Sequence, residues 1–196
     1  ATIREIHHRV KNNLQTVSAL LRLQSRRSSE EAVKVALAEA ERRVQAIATV
    51  HAALSQNVDE SVDFDEVART IVRMAGAIAS TDHAVEVITT GSFGTIQADQ
   101  AQALATVLNE LVANSVEHGL ADRDGLIEVR AEREGVSMTV TVADDGVGFV
   151  PGTPMSGLGT QIVHQMVRGE LKGSIEWAPR EGGGTLVTLH ANLDPA

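Results

Sequence analysis

The sequence predicts an α+β fold in two parts, an N-terminal antiparallel helical hairpin followed by a two-layer α/β sandwich, and three observations carry that reading. Apolar residues recur at spacings of three and four through two long runs before residue 55. Beyond residue 62 helical runs mix with runs of strict apolar–polar alternation. Glycines gather between those later runs, in "DDGVGF", "SGLGT" and "GGGT".

Composition narrows the classes. Of 196 residues 43% are hydrophobic and 22% charged, a globular balance, but aromatics are only 2%, with no Tyr, one Trp and three Phe. The cores are therefore built from Ala, Val, Leu and Ile. A formal net charge of -9 repels a phosphate backbone, so small molecules or proteins are expected as partners and direct nucleic-acid binding is not. The absence of cysteine excludes disulfides and thiolate sites and fits a cytoplasmic protein. No apolar run approaches the roughly 18 residues of a membrane span. The chain opens inside a helix, so a longer protein with a sensor domain upstream is expected.

Taking the elements in order, residues 2–27 read as a helix whose seam is Ile3, Ile6, Val10, Leu14, Val17 and Leu21. "RRSSEE" breaks it, and Ser28 with Glu31 has the pattern of a capping box for a second helix. The seam of that helix is Val33, Leu37, Ala40, Val44, Ile47, His51 and Leu54. Two such helices form a hairpin that cannot cover both seams, so a homodimer closing a four-helix bundle is expected. The domain boundary falls near residues 57–62, giving 1–57 and 58–196. Helices are then expected at 64–80, 98–118 and 158–168, and strands at 84–89, 125–133, 136–144, 173–179 and 183–192.

Several motifs carry chemistry. In "LNELVANSVEHG" Glu110, Asn114, Glu117 and His118 share one arc at 100° per residue, either a solvated face or a set of oxygens suited to a magnesium–phosphate group. "VADDGVGF" ends an apolar strand and turns on Gly146 and Gly148, which leaves Asp144 at the strand's mouth, where a buried carboxylate could accept from an amino group. A calcium loop fails there on spacing, a G-x-G-x-x-G fails at Pro151, and the chain has no Gly-Lys-Ser/Thr. "SGLGTQIVHQMV" runs Gly157, Leu158 and Gly159 into a helix whose first N–H groups would face a phosphate. "GGGT", with Gly182, Gly184 and Thr185, could equally be a hairpin turn.

In their order these pieces resemble the ATP-binding domain shared by histidine kinases, gyrase, Hsp90 and MutL, over roughly residues 60–192. The resemblance implies ATP and Mg2+ as ligands. It makes Asn114 the magnesium ligand and Asp144 the adenine reader. Gly146 and Gly148 match the first glycine box; Gly157, Leu158 and Gly159 the phosphate-side box; Gly182, Gly184 and Thr185 the last. Glu110 matches the acidic position that acts as a base in ATP-hydrolysing relatives, and His118 a basic position near the phosphates. Only "VPGTPMS" plus flanks separates two of the boxes, so the ATP lid is short.

The hairpin selects a branch. "EIHHRVKNNLQTVSALLRLQSRR" resembles the HWE-like and second-class HisKA kinases, and is most similar to actinobacterial soluble sensor kinases, whose response regulators commonly carry an RNA-binding antitermination output. The resemblance implies autophosphorylation of a histidine and transfer to an aspartate of a response regulator receiver domain. With Val10 set at zero, His8 falls at about 160°, outward with Asn12, whereas His7 falls at about 60°, on the seam edge. His8 is therefore the expected phosphoacceptor, and Asn12 is placed to orient it. Arg9 follows His8 where the commonest histidine kinases have an acid. His51, His83, His164 and His190 read as structural or solvated, and Arg22, Arg26 and Arg27 as a solvated helix face. An ATPase using Glu110, and a nucleotide-binding docking scaffold without activity, are the rival readings.

Overall fold

The computed structural model describes residues 2–55, 60–79, 83–152 and 157–195, the side chains of 3, 78, 79 and 158 excepted. The chain divides into two compact units, Ala1–Val58 and Asp59–Ala196.

The first unit is a hairpin of α1 (Ile3–Arg27) and α2 (Glu31–Leu54). Thr2 caps α1, its hydroxyl accepting from the Glu5 N–H at 3.4 Å, and Arg26 and Arg27 sit in the last turn, where cations suit the helix dipole. The expected capping box does not form. Ser28 is already the C-cap of α1, donating its N–H to Gln24, and its hydroxyl accepts from the Glu30 N–H at 3.2 Å to close the turn. Glu30 takes the N-cap of α2 without a side-chain bond.

The buried stripe of α1 also differs from the expected seam. His7, Val10, Leu14, Ser18, Leu21 and Ser25 are the shielded positions, whereas Ile6 and Val17 are 50% and 43% exposed. Relative to the seam drawn from apolar residues alone, this stripe is rotated by about 40°. The reason is that polar contacts set the facing: Arg22 bonds Glu41 through Nε (2.9 Å) and Nη2 (2.6 Å), and the Ser25 hydroxyl reaches the Lys34 carbonyl at 3.4 Å. On α2, Val33 and Ile47 of the expected seam are exposed as well.

The second unit layers three helices on one mixed sheet. Its strands are β1 (Ser61–Asp63), β2 (Val85–Gly91), β3 (Thr95–Gln97), β4 (Gly125–Glu134), β5 (Ser137–Asp144), β6 (Ser174–Pro179) and β7 (Thr185–Asn192). The five-stranded sheet runs β2-β4-β5-β7-β6, with β2 parallel to β4 and the other pairs antiparallel; β1 and β3 form a separate two-stranded sheet. The helices are α3 (Phe64–Ala79), α4 (Ala98–Asn114) and α5 (Leu158–Gly169). One sheet face, with Ile127, Val129, Val140, Val142, Val187 and Leu189, is buried under them; the other carries Glu128, Arg130 and Glu132 in the open.

The helix expected over 98–118 is α-helical only to Asn114, after which Ser115–Gly119 form a π-helical turn closed by Leu120 N–H to Ser115 C=O at 3.0 Å. Such widened turns collect at functional sites. Gln100, buried in α4, donates to the Glu170 and Asn192 carbonyls (2.9 and 3.2 Å) and accepts from the Asp194 N–H (2.7 Å), tying the helix to the chain's last strand without an unmet polar atom.

Candidate nucleotide and phosphoacceptor sites

Asp144 ends β5 at only 2% exposure. Its Oδ1 accepts from the N–H of Gly146 (3.0 Å) and of Thr185 (3.3 Å), so the carboxylate is fixed by backbone from two strands' ends. Among the described residues Oδ2 has no protein donor, which leaves it able to accept a further hydrogen bond. The walls of this position are glycine by necessity. A Cβ on Gly119 would stand 2.9 Å from Asp144 Oδ1, and one on Gly184, which has φ +100°, would collide with the Asp144 carbonyl. The Val147 N–H donates to the Gly119 carbonyl at 3.0 Å, binding the π-helical turn to the first glycine box.

Gly146 lies against Gly119, and Gly148 (φ +71°) against Gly184. Gly182 and Gly184 belong to the β6–β7 turn, where the Arg180 N–H reaches the Gly184 carbonyl at 3.0 Å, and Thr185 opens β7. The hairpin-turn and ligand-wall readings of "GGGT" are thus compatible. Gly157 is the N-cap of α5 at φ +145°, with no side-chain cap bond; Gly159 is buried in the first turn, and the side chain of Leu158 lies outside the described residues. Part of the short lid, 153–156, also lies outside them.

Glu110 corrects an expectation. The solvated-face reading fails for Glu110, which is 9% exposed on an α4 buried almost continuously from Gln100 to Val112. Asn114 is half-buried at the end of α4, and His118 is exposed on the π-helical turn. Among the described residues no group of three or more His, Cys, Asp or Glu could by itself hold a metal. Gly119 and Asp145, whose Oδ1 accepts from the Leu126 N–H at 2.8 Å to fix the start of β4, were not singled out in the sequence. A glycine directly after a polar helical arc was the available signal.

On the hairpin, His8 and Asn12 are exposed, and Arg9 pairs with Glu5 at 3.1 Å one turn back. His7 is half-buried, its Nδ1 3.2 Å from Nε2 of His51, with ring centroids 5.0 Å apart. Burial, and then the charge His7 would carry, hold the His51 pKa below its ordinary 6.5. His164 packs against Trp177 with ring centroids 5.2 Å apart and the rings tilted by 53°, and His190 bonds the Thr139 hydroxyl at 3.0 Å.

A glycine-walled carboxylate on an α/β sandwich, preceded by a helical hairpin, defines the class of histidine kinase cores. The comparisons agree with that class. The HisKA_2 family, described as histidine kinase, matches residues 5–78, and the histidine kinase-, DNA gyrase B- and HSP90-like ATPase family matches residues 99–195. The chain belongs to the histidine kinase family. It is 46% identical to the sensor histidine kinase PdtaS of Mycolicibacterium smegmatis over 98% of its own length and 40% of that protein's. A blue-light-activated histidine kinase of Erythrobacter litoralis is 28% identical over 96% of this chain and 56% of that one. In fold, the histidine kinase domain of Erythrobacter litoralis EL346 superposes with a TM-score of 0.66 at 24% identity, covering 97% of this chain and 90% of that domain. The chain thus spans about 40% of the length of the PdtaS relatives it matches. None of the described helices is long and apolar enough to cross a membrane.

Proposed function

We propose that the chain is the catalytic core of a two-component sensor histidine kinase, in which His8 takes the γ-phosphoryl group of Mg-ATP and passes it to an aspartate of a response regulator receiver domain. The observation that carries this is the outward His8 of a histidine kinase hairpin followed, in one chain, by the glycine-walled Asp144. Asp144 Oδ2 reads the adenine amino group. The first-turn N–H groups of α5 after Gly157 receive phosphate.

Asn114 and the buried Glu110, one helical turn apart, are oxygen donors of the type a hard cation takes; Asn114 would hold magnesium and Glu110 would orient the group beside it. Mg2+ supplies charge neutralisation on the phosphates when bound. His118 supplements it from the π-helical turn. Transfer asks little more of the protein than positioning and electrostatics. The neutral His8 imidazole attacks, and Asn12, one turn on, orients it.

The first unit serves dimerisation and phosphotransfer and the second binds ATP. Exposed Ile6, Val17, Leu20 and Leu23 on α1, with Val33, Val35 and Ile47 on α2, support a homodimer through the hairpin. Label from γ-labelled ATP that is acid-labile and base-stable tests the kinase reading. Phosphate release without label would support the ATPase instead.

A further inference from the structure

We infer that His51, through its hydrogen bond to His7, is the positioning residue that makes His8, rather than both adjacent histidines of α1, the exposed imidazole; the inference rests on the phosphotransfer reading above. The need for such a device follows from the faces of α1. Its inward stripe holds only three apolar residues, Val10, Leu14 and Leu21, alternating with His7, Ser18 and Ser25. A second stripe, with Ile6, Val17 and Leu20, is equally apolar and lies exposed. Turning α1 by about 90° would bring the second stripe inward, carry His7 out of the hairpin and leave both histidines in solvent. Within a single hairpin apolar burial therefore does not choose the facing.

Directional contacts do. Arg22–Glu41 fixes the middle of the hairpin and Ser25–Lys34 the end near the turn, while the buried Ser18 hydroxyl has no partner among the described residues and contributes nothing directional. At the end bearing His8, the bond between His7 Nδ1 and His51 Nε2 ties α1 to the last turn of α2. One ring must donate and the other accept, so the bond survives one shared proton and fails when both rings are fully protonated. Arg4 and Lys11 stand within a turn of His7, and Ile47, Ala48, Leu54 and Ser55 within a turn of His51. The nearest carboxylate in sequence, Glu5, is held by Arg9. Among the described residues no carboxylate offsets a second proton, and burial together with the His7 charge already lowers the His51 pKa. Release of His7 is thus an acid event, distinct from protonation of His8 itself.

The test exposes the 196-residue chain to potassium phosphoramidate, which phosphorylates accessible imidazoles without ATP, and reads the modified histidine by mass spectrometry. In the parent, His8 should react about tenfold faster than His7, in His51→Leu the two should react alike, and His51→Gln, which keeps a donor and an acceptor, should restore the difference. With ATP, His51→Leu should lower kcat about fivefold to tenfold at unchanged KM, a loss on the scale of one hydrogen bond. The acid limb of the parent should steepen beyond a slope of one, since His8 and the pair each lose function on protonation, and His51→Gln should return it to one. Equal labelling of His7 and His8 in the parent, or a His51→Leu variant with unchanged selectivity and kcat, overturns the inference. If His51→Leu is not folded by circular dichroism, the acid-limb slope of His51→Gln decides. Chemical selectivity without any label from ATP would refute the kinase reading alone.

Discussion

The two units bury their residues in opposite ways. In the hairpin, among the described residues, only Ser18, Thr49 and Val50 fall in the buried class, and large apolar side chains stand in solvent on both helices. In the α/β unit Leu104, Leu108, Ile127, Val129 and Leu189 are completely enclosed. Charge divides along the same line: residues 1–58 hold nine Lys or Arg against five Asp or Glu, and residues 59–196 hold eight against twenty-one. The hairpin leaves apolar side chains uncovered and has a basic surface; the α/β unit is a finished core with an excess of acid. An acidic domain that takes a polyanion must offset its own charge locally, and the uncapped first turn of α5 after Gly157 presents N–H groups of that kind.

Truncation in the two units should separate them most sharply. Leu108→Ala removes an enclosed side chain of α4 and should cost about 2–5 kcal/mol in urea unfolding of the α/β unit. Leu20→Ala, on a side chain 55% exposed, should cost the single hairpin less than about 1 kcal/mol while weakening dimerisation measured by light scattering. Equal costs, with no change in oligomeric state, would erase the distinction between a finished core and one left uncovered.

Asp144→Asn sharpens the same contrast inside the α/β unit. The amide oxygen can still accept the Gly146 and Thr185 N–H groups, so the melting temperature should move little. Loss of the charged acceptor should weaken ATP about tenfold to a hundredfold by calorimetry. A variant that melts much earlier yet binds ATP as the parent does would make Asp144 a structural residue.

Much of this was legible before any coordinates. Apolar periodicity found both hairpin helices, α3, α5 and the five long strands, because each buries one regular face. It missed β1 and β3, three residues each, which are too short to show a period. It also turned α1 the wrong way, since the facing depends on Arg22, Ser25 and His7, polar residues that count as solvated in any apolar pattern. The partner of His7 was 44 residues away and invisible to local reading. The burial of Glu110 and the π-helical turn escaped for a related reason: both are imposed by what packs on α4 and by the approach of Gly119 to Asp144. Asp144 and its glycines were readable because a backbone contact that only glycine permits leaves its mark in the sequence itself.

Acid should weaken the hairpin through His51. The folded His51 pKa lies below its unfolded value near 6.5, so the unfolded hairpin binds the extra proton more readily; the stabilisation is complete above that pH and is lost as pH falls through the folded pKa. Helicity followed from pH 8 to pH 5 should show the hairpin weakening, and His51→Gln should remove part of that dependence. Smaller still is Ser18→Ala, which deletes a buried hydroxyl without a partner among the described residues and should leave the hairpin unchanged or firmer by up to about 1 kcal/mol.

The two adjacent histidines of α1 hold the central claim, since His8 faces solvent and His7 is bonded to His51. The decisive measurement is acid-labile label from γ-labelled ATP in His8→Gln and His7→Gln, with ATP binding checked in both. His8→Gln should lose all label and still bind ATP, while His7→Gln keeps a measurable fraction. Label that survives in His8→Gln and disappears in His7→Gln would contradict the account.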